Sequence, residues 1–220
     1  MSTVLVTGSN RGIGLALCGV LRARGDAVIA TCRRSSPALD GLGVEVLAGV
    51  DGTSDDAVAG LARRLGERRI DTLILNAGIL REDSLADLDL DAVAEQVAVN
   101  AIAPLRVAHA LVSYLGSGSK IALVTSRMGS MGDNGSGGYY GYRMSKAAMN
   151  AMGVSLARDL HARRIAVAVL HPGFVRTEMT GRSGSVEPQD AARMLVARID
   201  ELTMQTSGSF WHANGERLPW

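Results

Sequence analysis

The chain has 220 residues, is 47% hydrophobic and carries a net charge of +1. That is enough for one sizeable core in a single domain over residues 1–220, and too nearly neutral for an electrostatic partnership with nucleic acid or an anionic membrane. Cys18 and Cys32, both inside apolar segments, suit small buried residues of a reducing compartment better than a disulfide framework. Met1 leads almost directly into the apolar run Val4 to Val6 without the charged start of a secretory signal, and no later run reads as a bilayer span, so a cytoplasmic protein without a membrane partner is expected. The local cluster Arg63, Arg64, Arg68 and Arg69 fits a solvated helix end.

Thr3–Thr7 predicts a short buried strand, residues 8–14 a glycine-rich turn and residues 15–24 a helix. Strand, turn and helix in that order make a phosphate-binding unit. Gly8 permits the tight turn, Gly12 lets backbone approach a pyrophosphate, and Gly14 lets helix and strand pack closely. The spacing G-x-x-x-G-x-G departs from the commoner G-x-G-x-x-G, and alone it describes a turn with no ligand equally well. Ala27–Thr31 is the second strand. A cofactor with a free ribose 2′-hydroxyl asks for Asp or Glu at its end, yet Arg33 and Arg34 stand there, which suits the 2′-phosphate of NADP better than NAD. Arg11 offers a further cation, while exposed loop charge is the alternative account of all three arginines.

Residues 44–48 give a third strand ending near Asp51, at the sheet edge where an adenine would lie, and residues 54–65 a helix capped by Ser54. A fourth strand, residues 71–75, stops at Asn76-Ala77-Gly78, whose small residues allow backbone close to a bound ribose. Residues 90–115 carry a long helical pattern interrupted by Asn100 and Pro104. Proline removes a backbone donor, so a bend or loosened bond is expected one turn earlier, around Asn100. Residues 120–125 form the fifth strand, with Ser126 at its carboxyl end and a Gly- and Ser-rich loop running on to Tyr139. Tyr142 and Lys146 follow one helical turn apart. An ammonium near a phenol favours the phenolate and prepares it for general acid/base work, although a surface helix carries such a pair by chance. Residues 165–170 are a sixth strand followed by the stiff turn His171-Pro172-Gly173, residues 188–200 a last helix and residues 209–212 a seventh strand. No metal, repeat or linker is expected.

Thr7-Gly8-Ser9-Asn10-Arg11-Gly12-Ile13-Gly14, Asn76-Ala77-Gly78, Asn100, Ser126, Tyr142 with Lys146, and Pro172-Gly173-Phe174-Val175-Arg176-Thr177 occur in one order. Together they resemble the short-chain dehydrogenase/reductase family over nearly the whole chain. The resemblance implies an α/β, single-domain Rossmann fold, a doubly wound seven-stranded parallel sheet with helices on both faces. It also implies an NADP-dependent oxidoreductase that moves a hydride between the nicotinamide and a ketone or aldehyde, or back from the alcohol. Tyr142 would exchange the proton at the substrate oxygen, Ser126 would hydrogen-bond that oxygen, Lys146 would lower the phenol's pKa and hold the nicotinamide ribose, and Asn100 would fix a relay water. Gly8, Asn10, Arg11, Gly12, Ile13, Gly14, Arg33, Asp51, Asn76, Ala77, Gly78 and Lys146 would hold the dinucleotide, with Pro172, Gly173, Val175 and Thr177 around the nicotinamide. The implied partners are a small carbonyl or alcohol substrate and further copies of the chain, as a dimer or tetramer.

Two departures matter. The segment from Ser126 to Tyr142 is longer than the family's commonest spacing, and Ser126 is preferred to Ser130 because Ser126-Arg127-Met128-Gly129 keeps the family's Ser-x-x-Gly pattern. The stretch between Thr177 and Pro188 is shorter than the helical lid of many members. These features, with the Gly208-Ser209-Phe210-Trp211 segment, are similar to the C-factor-like and Sniffer-like carbonyl reductase branch. A regulatory or signalling protein that binds nucleotide with little turnover is the alternative reading.

Overall fold

In the computed structural model, which describes residues 1–220, the strand side chains alternate between two separate apolar cores. In β1 (Thr3–Thr7), Val4 and Val6 enter one core and Leu5 the other. Strands buried on both faces in this way belong to a parallel sheet covered by helices on each side. The order of elements is β1, α1 (Gly12–Ala23), β2 (Ala27–Thr31), α2 (Pro37–Asp40), β3 (Glu45–Leu47), α3 (Asp55–Leu65) and β4 (Ile70–Leu75). There follow α4 (Leu90–Val97), α5 (Ala103–Leu111), β5 (Leu115–Val124), α6 (Tyr140–Asp159), β6 (Ala166–His171), α7 (Pro188–Glu201) and β7 (Phe210–His212).

All seven strands pair in parallel in the order β3-β2-β1-β4-β5-β6-β7. The strand order reverses between β1 and β4, and the connections leaving these two strands diverge to open a crevice at their carboxyl ends. Helices α3, α5 and α6 cover one face, whereas α1 and α7 cover the other over small strand residues such as Ala30, Ala122, Ala166 and Ala168. The fold expected from the sequence is therefore present. Both cysteines are free and buried in the second core.

Local differences have local causes. Helix α2 was not expected; Ser36 accepts from the Leu39 amide and Pro37 opens the turn, a Ser-Pro start that was legible in the sequence. Strand β5 begins at Leu115, opposite Ile70 of β4, and a register shift then separates that pair from the regular run that starts at Thr72 and Lys120. The bend at Asn100 takes the form of a π-helical segment, Ala98–Ile102, in which the Ala103 amide bonds five residues back to the Ala98 carbonyl. One expectation needs correcting. The continuous helical stretch Leu90–Tyr114 is long and apolar enough, at a mean hydropathy of 1.3, to pass for a bilayer span by composition. Its residues Val107, Ala108 and Leu111 instead pack into the core shared with α3 and α6, which is where its hydrophobicity is used.

Two glycines seat α6. A Cβ on Gly153 would lie 2.4 Å from Val169 and 2.7 Å from Leu123, and one on Gly141 would lie 3.0 Å from the Val93 Cα. The helix therefore rests directly on the sheet and on α4, and this sets the depth of everything its first turns carry.

Candidate active site

The cleft at the carboxyl edge of the sheet has a volume of about 1350 Å³ and runs from the glycine turn across the end of β4 to α6. Its floor is sewn together. Thr7 Oγ accepts from the amides of Asn76 and Ala77 at 3.0 and 3.1 Å, while the Asn76 side chain donates to the Thr7 and Gly8 carbonyls. The turn needs its glycines: Gly8 has φ +68 with Ala77 2.8 Å from where a Cβ would stand, and a Cβ on Gly14 would lie 2.1 Å from the Gly8 carbonyl oxygen. A cradle with no side chains, at the start of a full-length helix, has the room and the backbone donors that a pyrophosphate requires. The residues fit a dinucleotide.

Gly8, Asn10, Arg11, Gly12, Ile13, Gly14, Arg33, Asp51, Asn76, Ala77 and Gly78 all line this cleft, as do Pro172 and Thr177 at its other end. Gly173 and Val175 are not on the wall; Val175 is buried and pairs with Val186, which holds the segment behind it. Arg11 turns out to be engaged, its guanidinium 2.9 Å from Glu178 across the mouth. Hydrogen bonds from the Thr53 hydroxyl and amide hold the Asp51 carboxyl below the usual carboxylate range, and the nearby charge of Arg33 adds to them.

At the end of β5, Ser126, Tyr142 and Lys146 are all buried and lie together. Ser126 is the hydrogen-bonding neighbour of the Tyr142 phenol, while Ser130, buried in the loop, accepts from the Asp133 amide and serves a turn. Lys146 Nζ stands 5.7 Å from the centre of the Tyr142 ring and donates to the Val124 carbonyl at 3.1 Å. Burial pulls the ammonium down to about 8. It also pushes the phenol up to about 12, against the hydrogen bond of Ser126. The expectation that Lys146 would bring the phenol toward neutrality is therefore not met by these side chains alone, because desolvation of the phenolate outweighs them. Asn100, fully buried beneath, accepts from the Ile79 amide and donates to the Ile79 carbonyl, both at 2.8 Å, and donates to Ser145 Oγ at 3.0 Å.

The family model described as short chain dehydrogenase matches residues 2–188. The chain belongs to the short-chain dehydrogenase family. It is an oxidoreductase of that family, and two relatives place it further. It is 42% identical over the full length of both chains to the 1-hydroxy-2-glutathionyl-2-methyl-3-butene dehydrogenase of Rhodococcus sp. (strain AD45). It is 40% identical to the C-signal of Myxococcus xanthus, over 69% of this chain and 93% of that one. Among solved structures, the carbonyl reductase Sniffer of D. melanogaster matches with a TM-score of 0.93 and 29% identity over 100% of each chain. An NADPH-bound carbonyl reductase from chicken fatty liver matches with 0.90 and 27% identity, covering 100% of this chain and 99% of that one. The resemblance to the C-factor-like and Sniffer-like branch holds.

Several contacts that shape the site of this short-chain dehydrogenase were not visible in the sequence. Gly129 must be glycine because a Cβ there would stand 2.6 Å from the Lys146 backbone, so the loop after Ser126 rests on α6. Arg127 pairs with Asp133 and Glu216 at 2.8 and 2.9 Å, tying that loop to the segment after β7. His171 and His212 meet edge to face at 4.8 Å on the same side. The adjacency of Gly129 to a serine was visible as Ser-x-x-Gly; the other contacts join residues far apart in the chain.

The histidine pair gives a pH dependence. Burial, followed by the charges of His212, Arg127 and Lys146, pulls His171 down to about 3. An unfolded imidazole binds its proton near 6.5, so between about 6.5 and 3 the unfolded state holds more protons than the folded one. The stability contributed by the neutral imidazole is complete above about 6.5 and is lost as pH falls toward 3. His171→Gln, neutral at every pH, is expected to flatten the acid side of the stability profile; denaturant midpoints across that range that fall as steeply as those of the wild type would show that other groups govern it.

Proposed function

We propose that the chain is an NADP-dependent carbonyl reductase, acting reversibly on the alcohol. The observation that carries the proposal is the joint burial of Ser126, Tyr142 and Lys146 at the open end of β5, beside the glycine-lined cleft. When bound, the nicotinamide supplies or accepts the hydride. The side chains orient the substrate and move a proton. Ser126 holds the substrate oxygen, and Tyr142 gives that oxygen its phenolic proton as the alcohol forms, or takes it back in the reverse direction. Lys146, cationic below about 8, stabilises the phenolate left behind and then passes it a proton, becoming the neutral amine. The Asn100 carbonyl, which receives no hydrogen bond from Pro104, offers an acceptor for a water that returns the proton to Lys146 from solvent. A complete set of phenol, ammonium and hydroxyl favours turnover over a role in nucleotide binding alone.

NADP is favoured by the cations at the end of β2, where the family's NAD-binding carboxylate is absent. Because Arg11 is paired with Glu178, Arg33 is the stronger partner for a 2′-phosphate. Arg176 bonds the Gly184 carbonyl and Glu187, and Val186 bonds back to Phe174, so the short segment after Thr177 is stitched down with a single helical turn, Glu178–Thr180, and no lid helix. Exposed Met179 lines the cleft, whereas Met131 and Phe174 are exposed but not on its wall, so the uncovered mouth with one adaptable methionine is what suits it to bulky carbonyl compounds. The similar Rhodococcus protein is named for a glutathione conjugate, itself a bulky substrate. Exposed Leu90, Ile102, Leu105 and Met144 on α4 to α6 support association into a homo-oligomer.

Tyr142→Phe should fold and bind NADPH but lose nearly all reduction of a ketone panel; turnover near that of the wild type would remove the phenol from the chemistry. Arg33→Ala should reduce the NADPH over NADH affinity ratio roughly tenfold, about 1.4 kcal/mol, because a charge-assisted contact is lost. Titrating both nucleotides into both proteins checks this, and an unchanged ratio excludes Arg33. A ketone series of rising size, run on the species that sedimentation velocity shows to be an oligomer, should give activity that rises with bulk and discriminates weakly. A sharp optimum at a small ketone would count against the open mouth, and a monomer against the homo-oligomer.

A further inference from the structure

Helix α6 carries the Tyr142 phenol on its third residue, yet it starts without a cap of its own. Tyr139, the residue before it, is in the left-handed region at φ 52 and makes no side-chain bond to the helix. Tyrosine is a poor choice there, since Ser, Thr, Asp or Asn normally satisfies the first amides of a helix, and a left-handed tyrosine is strained. The preceding residues Gly137 and Gly138 also have positive φ. The N-cap side chain therefore offers no acceptor to the first amides of the helix.

The missing acceptor comes from the connection after β4. The carbonyl of Asp83 accepts from the Tyr139 amide at 2.9 Å. Its carboxylate accepts from the next two amides, Oδ1 from Tyr140 and Oδ2 from Gly141, the latter at 3.0 Å. Three successive amides leading to Tyr142 are thus bound by one residue 57 positions earlier in the chain. A carboxylate at the positive end of a 20-residue helix is favoured electrostatically as well as by its hydrogen bonds.

Asp83 is in turn held by the wall of the nucleotide cleft. Between Gly78 and Asp83 the chain is pinned at Ile79 by Asn100 and at Arg81, whose amide donates to Oε1 of the fully buried Gln96 at 2.8 Å. Asn100 and Gln96 belong to the bent helix that packs on α6. One short segment thus has the cleft-lining residues Asn76, Ala77 and Gly78 at one end and the start of the Tyr142 helix at the other.

We infer that Asp83 is a positioning residue for the reaction: by capping α6 from outside, it sets the place of the Tyr142 phenol relative to the cleft wall. The inference rests on the proposed role of Tyr142 as proton donor. Asp83 touches neither substrate nor cofactor; it acts through the helix start. Misplacing a reacting group by about 1 Å can cost on the order of a hundredfold in rate, so a small slip of this turn is enough to matter.

The test compares Asp83→Ala with Asp83→Asn, which keeps one side-chain oxygen as an acceptor. In Asp83→Ala, ketone reduction should show kcat lowered by about tenfold or more, with NADPH affinity, read by quenching of protein fluorescence, within about threefold of the wild type. Asp83→Asn should recover most of the lost kcat. Amide hydrogen exchange, which needs no turnover, should quicken at Tyr140 and Gly141 in Asp83→Ala and stay unchanged in the second half of α6. Should Asp83→Ala not fold, the same comparison is made between Asp83→Asn and the wild type, with a smaller loss of kcat and faster exchange at the same amides expected. A wild-type kcat in the variants despite faster exchange overturns the positioning role, and unchanged exchange overturns the cap itself. An equal loss of kcat and of NADPH affinity would also overturn it, by showing a general loosening of the fold. Failure of the acid/base reading is distinct: Tyr142→Phe would stay active while the exchange result stood.

Discussion

One fully buried asparagine joins the parts that must stay in register. Asn100 sits in the π-helical segment between α4 and α5, and its amide group makes hydrogen bonds to both backbone groups of Ile79 and to Ser145. Ile79 continues the wall of the cleft, and Ser145 precedes Lys146 on α6. A buried amide left without partners would be costly, so these bonds are strong constraints on all three segments. Pro104 prepares the place. It has no N–H to give Asn100's carbonyl, and the helix widens into a π-turn there.

Around that hub, the edge of the sheet trades stability for chemistry. Lys146 is buried without a carboxylate partner and Tyr142 is buried beside it, and desolvation moves each toward its neutral form. Core strand residues a few positions away, such as Leu123, Val124, Val167 and Ala168, are apolar and carry no such cost. The site therefore depends on rigid support. Gly141 and Gly153 let α6 lie against α4 and the sheet, Gly129 lets the loop after Ser126 rest on α6, and Arg127 anchors that loop to the segment after β7.

Much of this was legible before folding was considered. Short apolar runs gave all seven strands, with the start of β5 five residues late, and the ordered set of motifs, not the Tyr142–Lys146 spacing alone, pointed to the cleft and the pair beside it. Pro104 announced the distortion at Asn100. Less was visible where one short signal competed with another: Ser36-Pro37 opens a one-turn helix inside what read as a loop, and residues 115–119 extend β5 although the apolar helical pattern ran on to Leu115.

What the sequence determined by itself is whatever acts over one or two turns of chain: strand and helix periods, caps such as Ser54, glycines at positive φ and residues sharing a helix face. Tertiary structure alone decided which distant groups meet. Asn76 closes on Thr7, Arg11 pairs with Glu178, and the start of α6 finds Asp83, each across tens of residues that carry no local mark of the contact. It also decided the sign of the effect at Tyr142, because desolvation depends on how many atoms from other elements surround the phenol. Sequence spacing placed the ammonium near that phenol, but only the packed fold shows that burial acts on it more strongly.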